Sequence, residues 1–294
     1  MSDARGLILE TRAVLEVAGD DRQSFLQGVV SNDVTKVSEH QALWAAFLTP
    51  QGKFLHEFCL VEHQGHTLLE CEAARLADLK KRLSLYRLRS KVALEDASER
   101  LAVLALFGAD ALAVLGLARE PGAATSFAGG VAFVDPRLAD LGARAIVPRE
   151  AADQALRDGG FERASLDDYD SLRIALGVPD GSRDLEVDKA LLLESGFDEL
   201  GGVDWDKGCF LGQELTARTK YRALIKKRLL PVEISGPLPE AGTAVMANGK
   251  QVGQLRSRVA GRGLALLRLE ALEADQLSAG EATLTARKPD WLRL

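Results

Sequence analysis

The chain has 294 residues, 47% of them hydrophobic and 27% charged, with a formal net charge of −6. That length calls for two or three packed units, and the acidic balance excludes a protein that coats nucleic acid with its whole surface. No run approaches the roughly 18–20 consecutive apolar residues that a membrane helix needs.

The N-terminus, MSDARGLILETRAVLEV, scatters charges among its apolar residues. It has neither the basic region and apolar run of a secretory signal nor the Arg/Ser-rich, acid-poor character of a transit peptide, so a cytoplasmic protein is expected. Cys59, Cys71 and Cys209 are the three cysteines. So sparse and odd a set argues against a disulfide framework and falls short of the four thiolates of an ordinary iron–sulfur site.

In chain order, residues 13–19 read as a short strand ended by Gly19. Asp20 and Asp21 then open a helix whose Phe25, Leu26 and Val29 share one face. Residues 53–71 read as two strands about a turn at Gln64-Gly65. The first alternates, with Phe54, His56, Phe58 and Leu60 on one side and Leu55, Glu57, Cys59 and Val61 on the other. A helix follows at 73–87. Leu76, Leu79, Leu83 and Tyr86 form its apolar stripe, and Lys80, Lys81 and Arg82 face water.

Strands at 101–108, 129–136 and 142–148 and helices at 109–117 and 151–159 continue the pattern. This mixture predicts α+β layers rather than a doubly wound parallel sheet. Ser165 and Asp168 start a helix at 165–176 that Gly177 and Pro179 end. From about 229 the texture turns to short strand-like runs, with Asn248-Gly249 as a hairpin turn. A boundary is therefore placed near 223–228, giving a body over 1–222, with two interleaved α+β subdomains, and a small β-barrel over 223–294.

Three stretches carry residues able to do chemistry. His56, Cys59, His63 and His66 have metal-ligand types, but a strand puts His56 and Cys59 on opposite faces, so they read as surface hairpin residues. The second stretch runs from Asp204 to Arg218. Gly208 and Gly212 bracket Cys209 and Phe210, Lys207 stands near enough in sequence to favour a thiolate, and Gln213 to Arg218 begin a helix with Glu214 and Arg218 four apart. This reads equally as a reactive or ligand thiol and as a tight turn about an inert cysteine. The third is the acid-free run Arg218, Lys220, Arg222, Lys226, Lys227 and Arg228, read equally as an anion site and as a solvated linker.

Taken whole, KGCFLGQELTARTKYRALIKKRLLPV closely resembles the signature of the YgfZ family, K-G-C-[aromatic]-x-G-Q-E with an arginine a few residues on. Lys207, Gly208, Cys209, Phe210, Gly212, Gln213, Glu214 and Arg218 all match. Gly19-Asp20, Phe25-Leu26-Gln27-Gly28, Asp33, Gln51-Gly52-Lys53, the stretch from Tyr86 to Val92 and that from Arg173 to Gly177 resemble further family segments. Phe210 stands where tyrosine is commoner, Gly196 where asparagine is frequent, and Leu192 where many relatives have proline.

The resemblance implies a T-protein-like ring of α/β subdomains around a central folate channel, plus a C-terminal β-barrel. It implies a factor that assembles or repairs iron–sulfur clusters, including those of tRNA-modifying enzymes, with Cys209 as the required cysteine. Tetrahydrofolate is the implied cofactor. Lys207, Gly208, Phe210, Gly212, Gln213, Glu214, Arg218 and Lys220 are its candidate contacts. A transient cluster shared through Cys209 with a carrier or client protein is also expected.

The runner-up is a folate-dependent aminomethyltransferase. The catalytic aspartate of the T-protein aligns with Ile8, and no aspartate lies between Ala4 and Gly19, which argues against that chemistry. A tRNA-binding module through 218–228 is the third reading.

Overall fold

A computed structural model describes residues 3–222, 225–274 and 276–293. The chain divides into two compact units. One comprises Met1–Thr49, Leu55–Leu166 and Gly201–Leu211, the other Pro50–Phe54, Asp167–Leu200 and Gly212–Leu294.

The first unit holds two sheets. The five-stranded sheet runs in the order Leu43–Leu48, Phe54–His63, His66–Glu72, Arg12–Ala18 and Ala93–Asp96. The expected hairpin is present, with Cys59 opposite Glu70 and His63 opposite His66 across the turn. The six-stranded sheet runs Glu162–Arg163, Arg5–Ile8, Leu101–Phe107, Ala143–Pro148, Gly130–Val134 and Ala124–Phe127. It is antiparallel except where Glu162–Arg163 joins Arg5–Ile8. The helices Arg22–Val29 and Leu76–Tyr86 bury the residues their spacing predicts: Phe25, Leu26 and Val29 in one, Leu76, Leu79 and Leu83 in the other.

Strand Phe54–His63 is not solvated on either face: residues 54–61 are all buried. On the His56 side lies the Leu76–Tyr86 helix, whose Asp78 meets His56 Nε2 at 3.0 Å. The Tyr86 ring also stands edge-on to Phe47, which in turn stacks on His56. His56 is thus a core histidine rather than a surface hairpin residue.

The opposite side is occupied by charge. Arg12 binds Glu57 at 2.6 Å and also Glu70. Arg144, from the other sheet, reaches the same Glu70 oxygen at 2.8 Å and Asp135 at 3.1 Å. Arg137 closes the network on Asp135 at 2.6 Å. All six groups are buried. Burial alone would raise both carboxyls, but the guanidiniums outweigh it and hold Glu70 and Asp135 below the ordinary carboxylate range.

The second unit is built on a closed barrel in the order Lys227–Ser235, Arg262–Arg268, Lys250–Val259, Ala244–Ala247, Leu277–Ala279 and Ala282–Ala286. Its interior is aliphatic, with Leu230, Val245, Leu255, Leu267 and Leu284 among the buried residues. Asn248 and Gly249 form the expected turn, both at positive φ, 49° and 74°. Sequence patterning misses strand Leu277–Ala279, which is only three residues long.

Helix Leu166–Ala175 supplies Arg173, which binds Asp184 at 2.7 Å; Asp184 accepts from the Ser257 backbone on the barrel at 2.9 Å. The glycine at 196 also belongs here by necessity. Its φ is +77°, and an added Cβ would lie 2.6 Å from the Trp291 ring. Residues 167–200 and 212–222, read from sequence as part of the 1–222 body, lie in the same compact unit as the barrel strands. Residues 223 and 224, at the expected boundary, fall outside the described residues.

Burial, followed by the Arg75 charge, lowers the His56 pKa to about 4 despite the Asp78 carboxylate. An unfolded histidine titrates near about 6.5. Between those values the unfolded chain holds more protons, so stability is complete above about pH 6.5 and declines as pH falls toward the folded value. We expect His56 to make the protein ~2 kcal/mol less stable at pH 5 than at pH 7. His56→Gln should flatten this part of the pH profile of the melting temperature. An equal slope in the variant would contradict the assignment.

Candidate functional site

Residues 201–211 lie across the segment that follows helix Arg22–Val29. Asn32 donates to the Gly201 carbonyl at 2.7 Å and Ser31 to the Gly202 carbonyl at 2.6 Å. The Asp204 amide returns a bond to Ser31 O at 3.0 Å, and the Leu211 amide reaches Gly28 O at 3.2 Å. Lys36 Nζ meets Asp204 at 2.5 Å, and Asp204 accepts the Asp206 amide at 2.8 Å. The loop is therefore anchored at both ends by one short stretch of chain.

Lys207 is the central anchor. Its ammonium donates to Val30 O at 2.5 Å and Asn32 O at 2.6 Å, and lies 5.3 Å from the Phe210 ring centre. Burial lowers its pKa to about 8, although the Asp33 and Asp204 charges oppose the shift. The sequence places Lys207 as a cation favouring the Cys209 thiolate. The structure gives its donors to backbone carbonyls, so its role here is to hold the loop.

The loop turns its aromatic ring inward and its thiol outward. Phe210 is buried, whereas Cys209 is exposed. Gly208, at φ +88° with no atom near its missing Cβ, makes the turn just before the cysteine. Cys59 and Cys71 are both buried. Burial pushes both of their thiols well up, which disfavours the reactive thiolate. A thiol reagent or metal in solution thus meets Cys209 first.

The remainder of the signature belongs to the second unit. Gly212, at φ +80°, precedes helix Gln213–Tyr221. Gly52, at φ +70°, packs on it so closely that a Cβ would stand 2.8 Å from Gly212 O. Glu214 and Arg218 form the expected i,i+4 pair at 3.1 Å on the surface. Lys220 binds Asp198 at 3.0 Å, and Arg228, buried, binds Glu199 at 2.8 Å.

Three of the six cations in the run 218–228 therefore carry acidic partners, which reduces the positive charge that the run presents. Among the described residues no group of three or more His, Cys, Asp or Glu is arranged to hold a metal ion.

Gln27, Gly28 and Asp33 were legible through the family resemblance. Gln27 bonds Asp33 at 2.9 Å and the Val34 amide at 2.8 Å, shaping the stretch that receives the loop. Ser31, Asn32 and Lys36 were not read from the sequence. The available signal was a Ser-Asn pair directly after a helix end, where such side chains satisfy free carbonyls and amides.

Residues 226–294 match the family described as the CAF17 C-terminal beta-barrel domain. The chain is 36% identical to the mitochondrial iron–sulfur cluster assembly factor IBA57 of Homo sapiens, over 96% of its own length and 84% of that protein. The Mus musculus counterpart is 34% identical over the same shares. The chain belongs to the IBA57 family.

The glycine cleavage system aminomethyltransferase T of Bartonella henselae superposes with a TM-score of 0.80 at 16% identity, covering 99% of this chain and 87% of that one. This establishes a T-protein-like fold, and the C-terminal closed barrel is present as expected. The expectation of a cytoplasmic protein is corrected by the same comparison. The human, mouse and Neurospora crassa IBA57 relatives are mitochondrial proteins, not cytoplasmic ones. Charges scattered through a first segment do not determine the compartment.

Brief alkylation of the native protein followed by peptide mapping should label Cys209 first, with Cys59 and Cys71 reacting only on unfolding. Label appearing on Cys59 at the same rate would refute this exposure pattern.

Proposed function

We propose that this IBA57-family chain assembles or repairs iron–sulfur clusters in client proteins, with the Cys209 thiolate as the group that meets the cluster. The observation that carries the reading is the presentation of one exposed thiol on a loop pinned by Lys207, while the other two cysteines are buried. A cluster normally takes four protein ligands, mostly thiolates. One accessible thiol supplies one of them, so a carrier or client protein supplies the rest and the cluster is cargo in transit. The finer reading, a YgfZ-type factor serving tRNA-modifying enzymes among its clients, is supported by the complete run from Lys207 to Glu214 with Arg218.

The test is anaerobic reconstitution with iron and sulfide, followed by absorbance and electron paramagnetic resonance. The expected signal appears when a cluster-carrier protein is mixed with the chain and is lost with Cys209→Ser. A stable cluster on the chain alone, or an unchanged mixed cluster in the variant, would overturn the proposal.

The same reading includes a reduced folate. Arg218 and Lys220 suit the carboxylates of its glutamate tail. Arg218 and its partner Glu214 are solvent-exposed, whereas Lys220 and Asp198 are half-buried. An exposed pair such as Arg218–Glu214 contributes about 0–1 kcal/mol, so an incoming carboxylate replaces Glu214 at small cost. Bound folate would bring one-carbon chemistry of its own; these two residues would bind and orient it. Calorimetry with tetrahydrofolate should show specific binding that Arg218→Ala or Lys220→Ala weakens several-fold. No heat of binding at millimolar ligand would exclude the folate component while leaving the role of Cys209 standing.

A further inference from the structure

The most unusual surface of the first unit lies far along the chain from Cys209, at the end of helix Leu76–Tyr86. Leu88 is 88% exposed and Leu85 is 69% exposed. Between Leu79 and Val92 there are six cations and no acid: Lys80, Lys81, Arg82, Arg87, Arg89 and Lys91. In a chain of net charge −6 this is a basic stretch with two aliphatic side chains standing in it. Arg82 is paired with Asp78 at 2.8 Å and the Asp21 carboxylate meets the Lys91 amide, which leaves Arg87 and Arg89 as the cations flanking Leu88.

The backbone makes the exposure deliberate. The Ser90 amide bonds Arg87 O at 2.8 Å, closing a four-residue turn with Leu88 at its second position. Leu88 has φ +46°, a left-handed conformation that suits glycine and strains a larger residue. The turn is also braced. The Lys91 amide bonds Asp21 at 2.7 Å, and Arg87 reaches Val92 O at 3.3 Å. The fold thus accepts backbone strain to hold a leucine in water, where the fold itself gains nothing from it. Strain of this kind gathers at sites that bind.

We propose that the 87–90 turn is a docking knob for an acidic partner protein. Leu88 enters an apolar pocket on that partner, and Arg87, Arg89 and Lys91 face the carboxylates around it. A pre-braced aliphatic anchor ringed by charge has the anatomy of a protein interface: an apolar centre with a polar rim. Nucleic acid fits less well, because the aromatic residue of the run, Tyr86, has its ring engaged against Phe47 at 5.7 Å and gives no stacking platform. The inference rests on the assembly reading above in one respect: the partner chosen for the test is the cluster-carrier protein.

The test is calorimetric titration of the full chain with the cluster-free carrier, in wild type, Leu88→Gly and Arg87→Glu/Arg89→Glu. Glycine suits the left-handed position, so Leu88→Gly should fold with an unchanged or higher melting temperature. Its affinity for the carrier should nevertheless fall by about tenfold or more, the loss typical of an anchor residue. The double charge reversal should weaken binding comparably, and wild-type affinity should drop as salt is raised. Equal binding by Leu88→Gly overturns the proposal, as does absence of a wild-type complex. Leu88-dependent binding to tRNA or to vesicles of anionic phospholipid in place of the carrier also overturns it. Failure of the assembly reading is separately visible: the carrier would bind through Leu88, yet the mixed cluster would form without Cys209.

Discussion

Glu70 is buried in the first unit, and an ionised carboxylate is stable there only if cations follow it out of water. Arg12 comes from its own sheet and Arg144 from the other, and both converge on the same oxygen. Two guanidiniums from different sheets on one atom leave little freedom to slide either strand. Removing one partner from such a network strands a buried charge, at a cost of about 3–5 kcal/mol. The network fixes the relation between the sheets more than it adds net stability.

The same network extends to the functional loop through hydrogen bonds. Glu57 takes Arg12 with one oxygen and the Trp44 indole N–H at 2.6 Å with the other. The Trp44 carbonyl accepts from Asn32 at 2.7 Å, and Asn32 also donates to Gly201 O. The positions of Ser31 and Asn32, and through them the loop that carries Cys209, are thus set by a chain of polar contacts that starts in the core. Lys207 completes the attachment from the loop side. A thiol that must meet a cluster on another protein has to be exposed yet well placed, and pinning the loop on both sides of an outward-facing cysteine meets both requirements.

Charge on the surface is arranged in two contrasting ways. Half of the basic run after the signature is answered by acids of the same unit, Glu214, Asp198 and Glu199, and one of its arginines is buried. The run from Lys80 to Lys91 contains no acid of its own, and Asp78 engages only Arg82 within it. Linear charge density alone made the first look like the interaction surface. Which cations stay free to meet a partner depends on which acids the fold brings beside them.

Local pattern determined a large part of this protein from sequence alone. Period-two and helical spacing placed the hairpin about Gln64-Gly65, helices Arg22–Val29 and Leu76–Tyr86, and most barrel strands, because those elements answer to neighbours a few residues away. The signature around Cys209 was legible for the same reason: glycines, lysine and cysteine act within one loop. Tertiary structure alone decided the burial of both faces of Phe54–His63, the conversion of His56 into a core residue, and the pairing of Glu70 with Arg144, 74 residues apart. It also gave the Lys207 ammonium to carbonyls at positions 30 and 32 rather than to the neighbouring thiol. Each of these depends on which distant group arrives to satisfy a buried charge or cover a face, and spacing along the chain carries no record of that.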